Sequence, residues 1–303
     1  MTRRVTALAW SAAVCTYLLI ILGGVVRITG SGLGCGDHWP LCNGDLFPPL
    51  NDIGTVIEWS HRLVAGLVSV LVVALAVVDW WDGSRGRFVD RGPPGVRTPT
   101  AAIAAVGLLV LQILLGAITV KLELPAWSVV LHLGTAMLLL ATLLMIAVDS
   151  RPVLPTRAAL LLTLTLVTVL LGALTANLGA AAACHGFPLC NGQIWITAGP
   201  LAVIQWIHRL LAYSLAIVAV VWAFRTRSRA AYIVVGLVGL QVSIGAGIVL
   251  LGLPTGLQVA HVAVGTAIWA TVVLAVLSGQ PAPPAPPAPT SEAHRVVDGL
   301  RAQ

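Results

Sequence analysis

Eight long, nearly continuous apolar stretches run along this chain, separated by short polar ones. A transmembrane helix needs roughly 20 predominantly apolar residues at about 1.5 Å of rise each. Residues 5–26, 56–80, 100–120, 128–148, 158–178, 201–223, 231–251 and 257–277 meet that length. A membrane β-barrel would instead alternate apolar and polar positions over segments of about ten residues. The pattern therefore predicts an all-α integral membrane protein with eight transmembrane helices. The first apolar run is longer than the roughly 7–15 residues of a signal peptide and has no convincing small-residue cleavage site, so it counts as a span.

Composition and charge refine this picture. With 58% hydrophobic and 9% charged residues and a mean hydropathy of +0.97, the chain lies outside the range of soluble domains and needs a lipid bilayer. Its net charge of +6 does not point to nucleic acid, because the arginines are scattered over short loops and form no stripe. Arg3, Arg4, Arg85, Arg87, Arg91, Arg97, Arg151, Arg157, Arg225, Arg227, Arg229, Arg295 and Arg301 fall on one side, and only Arg27 and Lys121 on the other. The positive-inside rule then makes both termini cytoplasmic in a plasma membrane and turns loops 27–55 and 179–200 outward. Beyond Ser278 the chain reads "GQPAPPAPPAPT", too rich in proline for a packed core, so 279–303 is expected to be a disordered cytoplasmic tail, with His294 in it.

The sequence also repeats itself. "PLCNG" occurs at 40–44 and 188–192, "EWSHR" at 58 matches "QWIHR" at 205, "LQILLGAITV" at 111 resembles "LQVSIGAGIV" at 240, and "LHLGTA" at 131 resembles "AHVAVGTA" at 260. The order is the same each time. The chain is thus expected to comprise two pseudo-symmetric, parallel four-helix bundles, 1–150 and 151–278.

The outward loops hold four of the five cysteines, Cys35 with Cys42 and Cys184 with Cys190. Of three possible pairings, proximity favours one disulfide within each loop. Simple loop staples and a redox-active pair both remain open. Zinc is a weaker reading, since two thiolates per loop would need His38 or His185 and further help. Cys15, in an apolar span, reads as a small core residue.

Four histidines share one membrane layer: His61 and His132 in the first half, His208 and His261 in the second. Two facing imidazoles from a four-helix bundle can supply both axial ligands of a haem, whereas zinc usually needs three or four protein ligands and copper sites tend to add Cys or Met. Glycines and alanines in "LLGAIT", "HLGTA" and "IGAGIV" leave room for a flat macrocycle or for close helix approach. Arg62 and Arg209 follow the histidines directly and can pair with haem propionates or snorkel to headgroups. Glu58 lies three residues before His61 and so on the same helix face, as a proton acceptor or as the salt-bridge partner of Arg62. Its counterpart, Gln205, cannot titrate, which suggests that one half reacts and the other only binds.

The paired "EWSHR" and "QWIHR", the histidines of "LHLGTA" and "AHVAVGTA" and the loop cysteines together resemble the haem A synthase family, over about residues 5–277. The loop "WDGSRGRFVDRGPPG" looks like that of a bacterial, actinobacterial member. The resemblance implies an oxidoreductase that oxidises the C8 methyl of haem O to a formyl group, giving haem A for cytochrome oxidase assembly. It implies substrate haem on His61 and His132, a cofactor haem b on His208 and His261, catalysis by Glu58, and a Cys35–Cys42 disulfide that matters for turnover. Water is the expected oxygen source. A haem O synthase, oxidase assembly proteins and a second copy of the chain are candidate partners. The alternatives are a dihaem b-type electron carrier, which gives no reason for an acid in one half only, and a repeat-built transporter, which would carry its charges at the midplane.

Overall fold

The computed structural model describes residues 2–37, 39–48, 51–85, 99–149, 156–196 and 199–278. The tail 279–303, His38, His294 and Arg87, Arg91, Arg97, Arg151, Arg295 and Arg301 lie outside them. The described residues form eight helices long and apolar enough to cross a membrane and no strand. They are α1 (Arg3–Ile28), α2 (Ile53–Ser84), α3 (Pro99–Lys121), α4 (Ala126–Ala147), α5 (Thr156–Asn177), α6 (Pro200–Thr226), α7 (Arg229–Leu250) and α8 (Thr255–Ser278).

Most ends lie within a few residues of the hydropathy limits, and the differences have local causes. Helix α2 starts before its apolar run because Asp52 caps it, accepting the Thr55 N–H at 2.7 Å. Thr2 and Ser228 cap α1 and α7 in the same way, and Pro200 opens α6 at a position where its missing N–H costs nothing. Inside the spans, hydroxyls turn back to their own helix: Thr16, Thr165, Thr168 and Thr266 each donate to the carbonyl four residues earlier. That is how polar side chains are satisfied where no water reaches.

Helix α1 packs on α2 and α4, and α3 packs on the same two, so α2 and α4 face each other across a ring. Likewise α5 and α7 each pack on α6 and α8. Small residues on α1, Ala9, Ala12 and Ala13, are buried and allow close approach. Larger apolar residues such as Leu18, Leu67 and Ile217 are exposed on the outer surface, where a bilayer would cover them. Helices α1, α4, α5 and α8 form the seam between the first four and last four helices. Among the described residues three side-chain hydrogen bonds cross it. Tyr17 donates to the Ala263 carbonyl at 3.1 Å, Trp269 to the Met137 carbonyl at 2.8 Å, and Arg27 to the Ala176 carbonyl. Cys15 is a free, partly buried thiol packed against the core.

Candidate haem-binding layer and loop clamps

Both cysteine-bearing loops lie at the same end of the helices. Cys35 is bonded to Cys42 with Cα atoms 4.4 Å apart, and Cys184 to Cys190 at 4.8 Å. Each loop contains a cis peptide, Trp39–Pro40 and Phe187–Pro188, then an asparagine at positive φ, Asn43 and Asn191. The asparagine backbone N–H turns back to the start of the loop, to the Cys35 carbonyl in one and the His185 carbonyl in the other. His185 itself is exposed.

An arginine clamps each loop onto its helix. The Arg62 guanidinium donates to the Pro40 and Leu41 carbonyls at 3.3 and 2.7 Å and to Glu58 Oε1 at 2.5 Å. Arg209 donates to the Gly186, Leu189 and Cys184 carbonyls at 2.9, 2.8 and 3.2 Å. Both alternatives in the sequence left the arginines facing outward to propionates or headgroups; the structure adds a third task, holding backbone. Sequence alone gave no signal for it, because the acceptors are main-chain atoms.

Glu58 and Gln205 are equally buried, at 3% and 5% exposure, but are used differently. The Glu58 carboxylate accepts the Cys35 N–H at 2.8 Å on Oε2 and Arg62 on Oε1. Gln205 Oε1 is buried with no hydrogen-bond partner among the described residues. The ion pair expected four residues along the helix is therefore present, and the same carboxylate also ties the first loop to α2.

About 9–12 Å below the loop-end termini of α2, α4, α6 and α8, by helix rise, lie His61, His132, His208 and His261. His61 and His132 sit on the opposed helices α2 and α4 of the first ring, and His208 and His261 on α6 and α8 of the second. Each imidazole retains some accessible surface, yet each Nδ1 is buried without a hydrogen-bond partner among the described residues. Buried polar atoms nearly always have a partner. Four imidazoles with an orphaned Nδ1, two per ring of helices, fit ligation of a group from outside the chain, and their pairwise placement across each ring suits a haem held by two histidines. Among the described residues no three His, Cys, Asp or Glu gather around a common point for a metal ion.

Two glutamines, which the repeated stretches contained but whose role the sequence did not suggest, complete the layer. Gln112 Nε2 lies 3.2 Å from His132 Nε2 while its Oε1 accepts the Thr135 hydroxyl. Gln241 Nε2 donates to the His261 carbonyl at 3.0 Å. Their matched places in "LQILLGAITV" and "LQVSIGAGIV" were the available signal.

Comparison with known proteins finds a family match and several relatives. Residues 6–273 match the cytochrome oxidase assembly protein family COX15-CtaA. The chain is similar to a haem A synthase of Bacillus licheniformis, 32% identical over 285 residues, covering 86% of this chain and 91% of the relative. A haem A synthase of Halalkalibacterium halodurans is 31% identical, with 86% and 92% covered, and one of Exiguobacterium sibiricum is 31% identical, with 86% and 90% covered.

Proposed function

From the chain's membership of the COX15-CtaA family of cytochrome oxidase assembly proteins, to which it belongs over nearly its whole length, we infer that it is a haem A synthase. It is a multi-pass membrane oxidoreductase that acts on haem, converting haem O to haem A. The observation that carries this reading to particular residues is the layer of four histidines, each with a buried, unpartnered Nδ1 among the described residues.

We assign the first half, 1–150, to the substrate haem through His61 and His132, and the second, 151–278, to a cofactor haem b through His208 and His261. Bound haem supplies one-electron redox chemistry, and the chain supplies position and proton handling. Breaking the C–H bonds of a methyl group releases protons, and Glu58, on the helix face of His61, is the group that accepts them. Its replacement by Gln205 in the second half supports a reacting and a non-reacting site. Arg62 and Arg209, besides clamping the loops, bring positive charge to the end where haem carboxylates would bind. Both termini are cytoplasmic in this reading, and the disulfide loops face outward.

The test is to purify the protein from cells with and without a haem O supply and to identify the extracted haems by chromatography and mass. Haem A together with haem b is expected when haem O is supplied. Haem b alone under both conditions would leave an electron carrier as the better description.

A further inference from the structure

Each of the four histidines lies against a glycine of the helix paired with its own. A Cβ built on Gly23 of α1 would stand 3.2 Å from His61 Cε1, and one on Gly116 of α3 would stand 3.2 Å from His132 Cε1. On Gly245 of α7 it would stand 3.3 Å from His261 Cε1, and on Gly172 of α5 only 2.8 Å from His208 Cε1. None of the four glycines has a positive φ, so none is required by the backbone. Glycine destabilises a helix interior relative to alanine. At these four positions the molecule accepts that cost opposite a candidate ligand.

The contacting edge is also the same. For His61, His132 and His261 the atoms nearest the missing Cβ are Cε1 and then Nδ1, the nitrogen that is buried without a partner. The glycine surface thus lies against the ring edge that carries the unpartnered nitrogen. At Gly172 the contact is tighter and takes in Nε2 of His208 as well, at 3.3 Å. Glycines elsewhere in α3 and α4 do different work: a Cβ on Gly134 of α4 would meet Leu170 of α5 at 3.4 Å, a helix-packing contact, and one on Gly107 of α3 would meet nothing within 4 Å.

We propose that Gly23, Gly116, Gly172 and Gly245 are positioning residues, whose missing side chains set the rotation of the four imidazoles and so which nitrogen each ring turns toward a haem iron. The proposal rests on the reading that these histidines ligate haem. An added methyl pushes the ring about its own bonds, changing the angle between the two axial ligand planes without removing a ligand.

The ferric low-spin EPR signals of the purified, haem-loaded protein read that angle directly. Gly23→Ala and Gly116→Ala are expected to shift the g-values of one haem, and Gly172→Ala and Gly245→Ala those of the other, with the largest shift at Gly172. Gly107→Ala and Gly134→Ala should leave both signals as in the unaltered protein. Unchanged signals in all four variants, or equal shifts in the two controls, overturn the proposal. An unaltered protein that purifies without haem overturns the functional reading first and this one with it. If Gly172→Ala fails to accumulate, it is combined with His208→Ala. Accumulation at the level of His208→Ala alone identifies ring collision as the cause and supports the proposal; continued failure means that α5 cannot take the methyl for backbone reasons and refutes it there.

Discussion

The buried carboxylate of Glu58 accepts the backbone N–H of Cys35 at 2.8 Å, joining a titratable group on α2 to the first residue of a disulfide. The contact is charge-assisted, and its two partners lie 23 residues apart in sequence. Whatever moves the loop moves the acid.

Glutamine at position 58 keeps an oxygen for the Cys35 N–H but cannot take a proton. Glu58→Gln gives up the ion pair with Arg62 and some stability with it, and haem A formation per accumulated protein should fall by on the order of 10²–10⁴-fold, the usual contribution of a general base. Glu58→Ala removes the acceptor as well and leaves a buried N–H unmet, at about 1–3 kcal/mol. Haem extraction measures the first effect and the thermal midpoint in detergent the second. Haem A formation at the normal rate in Glu58→Gln would remove Glu58 from the chemistry.

The histidine pairs should separate the two haems. His61→Ala or His132→Ala is expected to abolish retention of the substrate haem while leaving haem b, and His208→Ala or His261→Ala to do the reverse. Pyridine haemochrome spectra of each purified variant decide this. Loss of both haems from every variant would mean that the sites are not independent.

The two disulfides should differ in their effect on turnover although they staple similar loops. Removing either closes a short loop less tightly, with about 2–3 kcal/mol expected from chain entropy. Only the first loop is bonded to Glu58, so Cys35→Ser with Cys42→Ser should depress haem A formation beyond any loss of protein, and Cys184→Ser with Cys190→Ser should not. Activity per extracted haem is the quantity to compare. Equal losses would argue that both loops serve stability alone.

Asp52 gives a pH dependence whose sign is fixed. The Thr55 N–H, and then the Thr55 hydroxyl, hold its carboxyl below the ordinary value of 3.8. A depressed native value means that the cap stabilises above pH 3.8 and that the contribution fades as pH falls through the lower native value. The thermal midpoint of Asp52→Ala should lie below that of the unaltered protein at pH 6, and the gap should close in strong acid. A gap that persists there would point to packing instead of charge.

Much of the fold was legible because the bilayer permits so few solutions. Eight apolar runs of the right length became eight helices, and errors were confined to ends such as Asp52 and Pro200, where single caps decide. The histidine layer was legible because ionisable groups at that depth demand a reason, and the pair Glu58 and Gln205 because the shared Trp, His and Arg beside them framed the change. Less could be read of Arg62 and Arg209, whose acceptors are carbonyls. Glycine is ambiguous in sequence: "LLGAIT" and "HLGTA" look equivalent, yet Gly116 meets an imidazole and Gly134 meets Leu170. That distinction is a matter of helix rotation, which only packing sets.

The seam between the first four and last four helices has an evolutionary consequence. Arg27, Tyr17 and Trp269 all donate across it to main-chain carbonyls. Every residue carries a carbonyl, so Ala176, Ala263 and Met137 can change identity without losing the bond. Substitution on the acceptor side is chemically silent, and substitution on the donor side is not. Covariation across such a boundary would be sparse, showing three solitary constraints with no compensating mates. A joint of that kind frees each half to drift in its own ligand chemistry while remaining attached to the other.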